Sequence, residues 1–211
     1  MIPARYPDCT ALLIASGPSL SREQIDYCKP GRMAGKFAAF GCNDAYRMCE
    51  YLDVLYAADG RWIDHHRAHL PPRLRVGHRC WTPDKAAAKA YDEWTLVGQA
   101  ARRGLSTSSD TLHLGNHSGY QLINLAYAMG CRRLVLIGYD CHSGGQHWFG
   151  KHPAGPLDVQ TNYPRYAKTY HSIAEQTPSL GLTIINATPN SALDAFPMMD
   201  LRDALPGLGD L

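Results

Sequence analysis

The sequence predicts an α/β fold of Rossmann-like type: a mostly parallel sheet, helices on both faces, and a lid segment over residues 143–163. Three observations predict it. The apolar runs are short and continuous rather than alternating, as strands covered on both faces require. Stretches of helical period separate them, and the order strand, helix, strand, helix calls for right-handed crossovers within one sheet. The 211 residues are 45% hydrophobic and 19% charged, with a formal net charge of +2. That size and balance suit one domain spanning residues 1–211 and exclude a disordered or strongly basic chain.

Five runs read as strands: Ala11-Leu12-Leu13-Ile14-Ala15, Phe37-Ala38-Ala39-Phe40, Val54-Leu55-Tyr56-Ala57-Ala58, Leu134-Val135-Leu136-Ile137-Gly138 and Leu182-Thr183-Ile184-Ile185-Asn186. Helical periodicity falls at 21–28, 44–51, 118–129 and 164–176. Between 65 and 116, Pro71, Pro72, Pro83, an alanine-rich piece at 86–90 and the serines at 106–109 break any single period, so further sheet edge and loops are expected there. Residues 143–163 are rich in Gly, Pro and His and lack periodicity, which marks them as the lid.

The seven cysteines form no C-x-x-C pair, and a chain this large folds without staples, so reduced thiols and a cytoplasmic location are expected. The first residues lack the apolar stretch of a signal peptide, and no run approaches the roughly 18 apolar residues of a membrane span. Nothing in the totals indicates nucleic acid as a partner. Self-association into a homo-oligomer is compatible with the composition.

Parallel sheets take their ligands outside the carboxyl ends of the strands, so the residues there are the ones to inspect. The first strand runs into Ser16-Gly17-Pro18-Ser19-Leu20 and then a helix, with Ser21 as N-cap and Gln24 three residues on. Glycine lets the backbone approach a ligand, and the helix start offers unpaired N–H groups to a phosphate; a tight turn without ligand is the alternative. Asn43, in Gly41-Cys42-Asn43-Asp44, suits a base or ribose. Asp59, in Ala58-Asp59-Gly60-Arg61, suits a ribose hydroxyl or a magnesium ion. Either residue equally suits the cap of the next helix. Ser118 and Gly119 open a further helix after Gly115-Asn116-His117, and Gly138-Tyr139-Asp140 closes the strongest strand at the start of the lid.

Ten histidines raise a metal reading, above all Asp64-His65-His66 with His69, since His65 and His69 stand one helical turn apart. No third ligand matches by spacing, and a solvated helix face is the default, so no metal site is assigned. In the lid, His147-Trp148-Phe149-Gly150-Lys151-His152-Pro153 combines imidazoles, an ammonium and aromatics, a set suited to stacking and to proton transfer near neutral pH. A packed loop with exposed histidines is its structural alternative.

In order, Ile14 to Leu20, Cys42-Asn43-Asp44, Ser118-Gly119, Leu136-Ile137-Gly138-Tyr139-Asp140 and Thr188-Pro189-Asn190-Ser191 resemble the motifs of bacterial sialyltransferases that use a CMP-sugar donor. The first loop and the Gly-x-Asp strand end are also similar to the archaeal hydroxymethylpterin pyrophosphokinase-like family and to related bacterial and phage proteins. The resemblance implies that Ser16, Gly17, Pro18, Ser19 and Asn43 contact a nucleotide, Ser118 and Gly119 its phosphate side, and Asn190 and Ser191 the base or ribose edge. The chain departs from the sialyltransferase pattern where a phosphate-binding arginine is replaced by Gly115, and where two tyrosines are replaced by His142 and Trp148. The position of the family's histidine base falls near Pro164. His147, His152, His142 and Asp140 are therefore the candidates for base or phosphate partner. The expectation is a nucleotide-dependent transferase, a glycosyltransferase with a nucleotide-sugar donor and a small-molecule or glycan acceptor. A magnesium-dependent pyrophosphokinase using Asp59 and Asp140, and a binding or sequestering protein without turnover, are the alternatives.

Overall fold

A computed structural model describes residues 1–115, 117–142, 146–150 and 163–206. The elements run β1 (Thr10–Ile14), α1 (Arg22–Met33), β2 (Ala38–Cys42), α2 (Ala45–Met48), β3 (Val54–Tyr56), α3 (Gly60–His66), β4 (Cys80–Thr82), α4 (Lys85–Ala90) and β5 (Trp94–Leu96). After these come β6 (Gly98–Ala100), β7 (Thr111–His113), α5 (Ser118–Ala128), β8 (Arg133–Ile137), α6 (Tyr163–Ala167), α7 (His171–Ala174), β9 (Thr183–Asn186) and α8 (Leu201–Ala204).

Seven strands form one sheet in the order β5-β4-β3-β2-β1-β8-β9, and every pairing in it is parallel. This is an α/β fold of Rossmann-like type. The chain builds outward from β1 on one side, then returns to place β8 on the other, with Thr10 opposite Arg133 and Ile14 opposite Ile137. The resulting switch point, between β1 and β8, opens a crevice at their carboxyl ends.

The pleat explains the continuous apolar runs. Ala11 and Leu13 of β1, with Leu134 and Leu136 of β8, point into a layer closed by Tyr120, Leu122 and Ile123 of α5 and by Tyr170 and Ile173. Leu12, Ile14, Val135 and Ile137 point the other way, onto Ile25 and Cys28 of α1, Trp62 and Ile63 of α3, and Leu201 of α8. With both faces covered, every position of Ala11 to Ile14 and of Leu134 to Ile137 is apolar, and each fully buried leucine contributes about 1.5–3 kcal/mol.

Several boundaries differ from the periodicity. Helix α1 starts on the expected capping box, in which Ser21 Oγ accepts from the Gln24 amide (3.2 Å) and Gln24 Oε1 accepts from the Ser21 amide (3.0 Å). It continues through Pro30 to Met33, because the Ala34 amide closes on the Pro30 carbonyl (2.9 Å) and Arg32 is anchored on Asp53. Helix α2 is shorter than 44–51, since Tyr51 and Leu52 are drawn into the core. The stretch 164–176 is broken into α6, a 3₁₀ turn and α7. Within 65–116, β4 and β5 extend the main sheet, and β6 pairs with β7 in a separate two-stranded ribbon. No helix among the described residues is long and apolar enough to cross a membrane.

Candidate functional site

At the carboxyl ends of β1, β2, β3 and β8 lies a cavity of about 520 Å³. The first loop supplies Ser16, Gly17 and Pro18, the ends of β2 and β3 supply Asn43 and Asp59, and the start of α5 supplies Ser118 and Gly119. Asp140, His142 and His147 complete the set of expected residues that the fold brings together here. Ser19, Asn190 and Ser191 stand outside the cavity wall.

The first loop is held from beneath. Its Gly17 amide donates to the Gly138 carbonyl (2.9 Å), and Asp140 accepts from the Ser19 amide (3.1 Å) and hydroxyl (2.9 Å). A β-carbon at residue 17 would overlap the Asp140 carboxylate and sit 2.5 Å from the Gly138 oxygen. Glycine is thus required at 17 by packing against the end of β8, a reason separate from the ligand approach inferred from sequence. Gly138, at φ +72, lets β8 leave the sheet under the loop, where a β-carbon would lie 2.6 Å from the Ala15 oxygen. Asp140 is therefore a positioning residue for the loop. Burial raises its carboxyl above the ordinary value, while the bonds from Ser19 pull it back down.

Ser16 is 8% exposed, and its hydroxyl has no hydrogen-bond partner among the described residues. Leaving a buried hydroxyl unpaired costs about 1–3 kcal/mol, which a ligand atom in the cavity would recover. The Ser16 carbonyl is engaged, accepting from the Trp148 amide (3.2 Å) and from His147 Nδ1 (3.1 Å). Since a carbonyl only accepts, His147 carries its ring proton on Nδ1 when neutral. Nε2 then presents a lone pair, 3.5 Å from the Tyr163 hydroxyl.

Asn43 takes the left-handed conformation (φ +49) with its amide on the Tyr56 carbonyl (2.9 Å). Asp59 both lines the cavity and caps α3: it accepts from the Arg61 amide (2.9 Å) and guanidinium (2.7 Å). Those bonds from Arg61 hold its carboxyl below the ordinary value. Neighbouring Asp44 belongs to the scaffold, buried beneath Trp62 Nε1 (2.8 Å) and Arg47 (3.0 Å). From the wall, His142 donates from Nε2 to the Asn190 carbonyl behind it (2.5 Å), and Ser191 Oγ donates to the Tyr139 carbonyl (2.6 Å). Ser19, Asn190 and Ser191 thus brace the loops that form the wall.

At the head of α5, His117 was not singled out by its sequence context. Its ring stacks on Tyr166 (5.3 Å between centroids, 18° between planes), and its Nδ1 lies 3.4 Å from the Tyr170 hydroxyl. Nε2 is shut off from solvent and has no partner among the described residues. Desolvation pushes the His117 pKa down to about 3, so the ring is neutral. In the tautomer where Tyr170 donates to Nδ1, Nε2 would carry the hydrogen and be an uncharged donor. Tyr163, Tyr166 and Tyr170 recur at helical spacing, a signal in the sequence for this aromatic wall.

Of the segment expected to form a lid, residues 146–150 and 163 are described; Lys151 and His152 lie outside the described residues. Asp64, His65, His66 and His69 do not assemble a site: among the described residues no group of three or more His, Cys, Asp or Glu is arranged to hold a metal ion. Asp64 accepts from Tyr91 (2.6 Å), and His66 pairs with Tyr46 (3.0 Å). No protein-family model, curated protein or solved structure gives a significant match to the chain.

Proposed function

We propose that this chain is a nucleotide-dependent transferase that moves a glycosyl group from a nucleotide-sugar donor to the hydroxyl of a small-molecule or glycan acceptor. The observation that carries the reading is the cavity at the β1/β8 switch point, lined by the start of α5 and by Ser16, whose buried hydroxyl has no partner among the described residues. Its volume falls in the range of about 300–1,000 Å³ usual for ligand pockets. Phosphate oxygens would be received by N–H groups at the α5 start and by the neutral His117 donor. The acceptor oxygen attacks the anomeric carbon, the bond from that carbon to the phosphate oxygen breaks, and the phosphate leaves with the electron pair. The acceptor proton passes to His147 Nε2, oriented by its Nδ1 bond to Ser16.

Calorimetric titration of CMP-, UDP-, GDP- and ADP-sugars in chelator, followed by analysis of the products, tests this reading. Binding without magnesium, with transfer of the sugar to an added acceptor, supports it. Binding of ATP that requires magnesium would favour a pyrophosphokinase working through Asp59 and Asp140. A ligand bound tightly and recovered unchanged would favour sequestration. Failure of every nucleotide to bind would overturn all three.

A further inference from the structure

The amino-terminal end of the sheet, opposite the cavity, carries charge that the site described above does not use. Asp53, just before β3, has a side chain only 4% exposed. Its carboxylate accepts from the Ala39 amide (2.8 Å) and from both Nε (2.5 Å) and Nη2 of Arg32. Those donors occupy it. Two further guanidinium groups nevertheless lean on the same oxygen: Arg79 Nη1 lies 3.6 Å and Arg73 Nη2 3.9 Å from Oδ1, both beyond hydrogen-bond length. Arg5 stands beside the group, bonded to the carbonyls of Gly77 and His78, the two residues that precede Arg79. The neighbouring carboxylate, Glu50, is taken by Lys29 (2.5 Å).

Three guanidinium groups, those of Arg32, Arg73 and Arg79, thus share one buried carboxylate, with Arg5 beside them. Each of the outer three is fixed along one edge by a backbone carbonyl: Arg73 by Glu50 (2.8 Å), Arg79 by Asp53 (3.3 Å), and Arg5 by Gly77 (2.9 Å) and His78 (3.0 Å). Burial pushes the Arg73 guanidinium below its ordinary value, Asp53 opposes that fall, and the like charges of Arg79 and Arg32 add to it. At 38% and 35% side-chain exposure, Arg73 and Arg79 remain open to solvent. Held forks of this kind match the oxygens of a phosphoryl group, and their fixed edges lower the cost of ordering them on binding.

We propose that this end of the sheet is a second ligand site, which binds one phosphate-sized dianion between Arg73 and Arg79 with Arg5 at its rim. Convergence on a single oxygen favours a compact anion over an extended polyanion, which is met by cations spread along its length. Free phosphate and the phosphoryl end of a metabolite share this chemistry.

Thermal melting with inorganic phosphate, against chloride at equal ionic strength, tests the site. At about fivefold over its dissociation constant, phosphate raises the melting temperature by roughly 2–4 °C in a chain of this size. Arg73→Gln and Arg79→Gln each abolish the Arg-dependent part of that rise. Arg75→Gln keeps it, because Arg75 sits on the Leu70 and Ala68 carbonyls, away from Asp53. A rise undiminished in both folded variants places the anion elsewhere, for instance in the cavity, and overturns the site without touching the transferase reading. If a variant fails to fold, the Tyr6 ring signals of the wild-type protein decide by NMR: a saturable shift with phosphate supports the site, and unmoved signals refute it. A sugar monophosphate that outcompetes phosphate with the same arginine dependence identifies a metabolite as the source; phosphate binding that the sugar monophosphate cannot displace identifies the free ion. An oligonucleotide that binds where phosphate does not would overturn the compact site.

Discussion

At residue 17 even a methyl group would meet the Asp140 carboxylate, so Gly17→Ala should cost about 1–3 kcal/mol of stability as well as binding, measurable by urea denaturation. A wild-type midpoint would show that the loop is not pinned as described. Asp140 itself titrates in an unusual direction. Its carboxyl is raised in the folded chain, so the unfolded chain releases its proton first, and stability falls as pH rises from the ordinary value near 4 through the raised one. Relative to Asp140→Asn, the wild-type midpoint should therefore decline over that interval; a constant difference would refute the assignment. His117 has the opposite dependence. Unfolded, it takes a proton near 6.5, but folded only near 3, so stability drains away as pH falls between those values and His117→Gln should flatten that acid slope. For the proposed base, His147→Asn keeps an amide donor for the Ser16 carbonyl but removes Nε2. Turnover should drop about 100-fold while donor affinity stays within a few-fold, and full activity would move the base elsewhere.

Among the elements, α1 shows the most direct passage from sequence to structure, since the Ser21 and Gln24 pair closes both ends of its capping box. Ser21→Ala should lower stability by about 1 kcal/mol, or roughly 2–4 °C in melting temperature. An unchanged melting curve would show that packing on Ile25 and Cys28 alone holds the helix start. The strands around the switch point were legible because burial on both faces leaves no polar position to interrupt Leu12-Leu13-Ile14 or Leu134-Val135-Leu136. Strand β4 is only Cys80, Trp81 and Thr82, and β6 is Gly98, Gln99 and Ala100, largely exposed, so neither carries a periodic signal. They exist because neighbouring strands offer them a ladder. The break between α6 and α7 was hidden for a related reason: Tyr166 and Tyr170 keep helical spacing while the backbone tightens through a 3₁₀ turn to bring both rings against His117.

The whole molecule divides into two apolar layers on either side of one sheet, and single strands feed both, as Leu13 and Leu12 do. Tryptophan fluorescence and far-UV circular dichroism should therefore report one coincident urea transition; two midpoints would mean that the layers separate. The same shared sheet explains how far the cavity could be read from sequence. Strand ends name Ser16, Asn43, Asp59 and Asp140 directly, whereas Gln99, Leu114 and Gln121 arrive by packing between segments whose spacing along the chain carries no trace of it. One consequence concerns the order of synthesis. Strand β1 gains its first neighbour, β2, soon after it is made, but its second begins only at Arg133, with most of the polypeptide in between. Until the ribosome delivers β8, β1 has a bare edge, so the centre of the sheet closes only after the whole β2–β5 side has been made. A chain halted before Arg133 would lack the partner on which the first loop rests and would be drawn toward pairing with other chains.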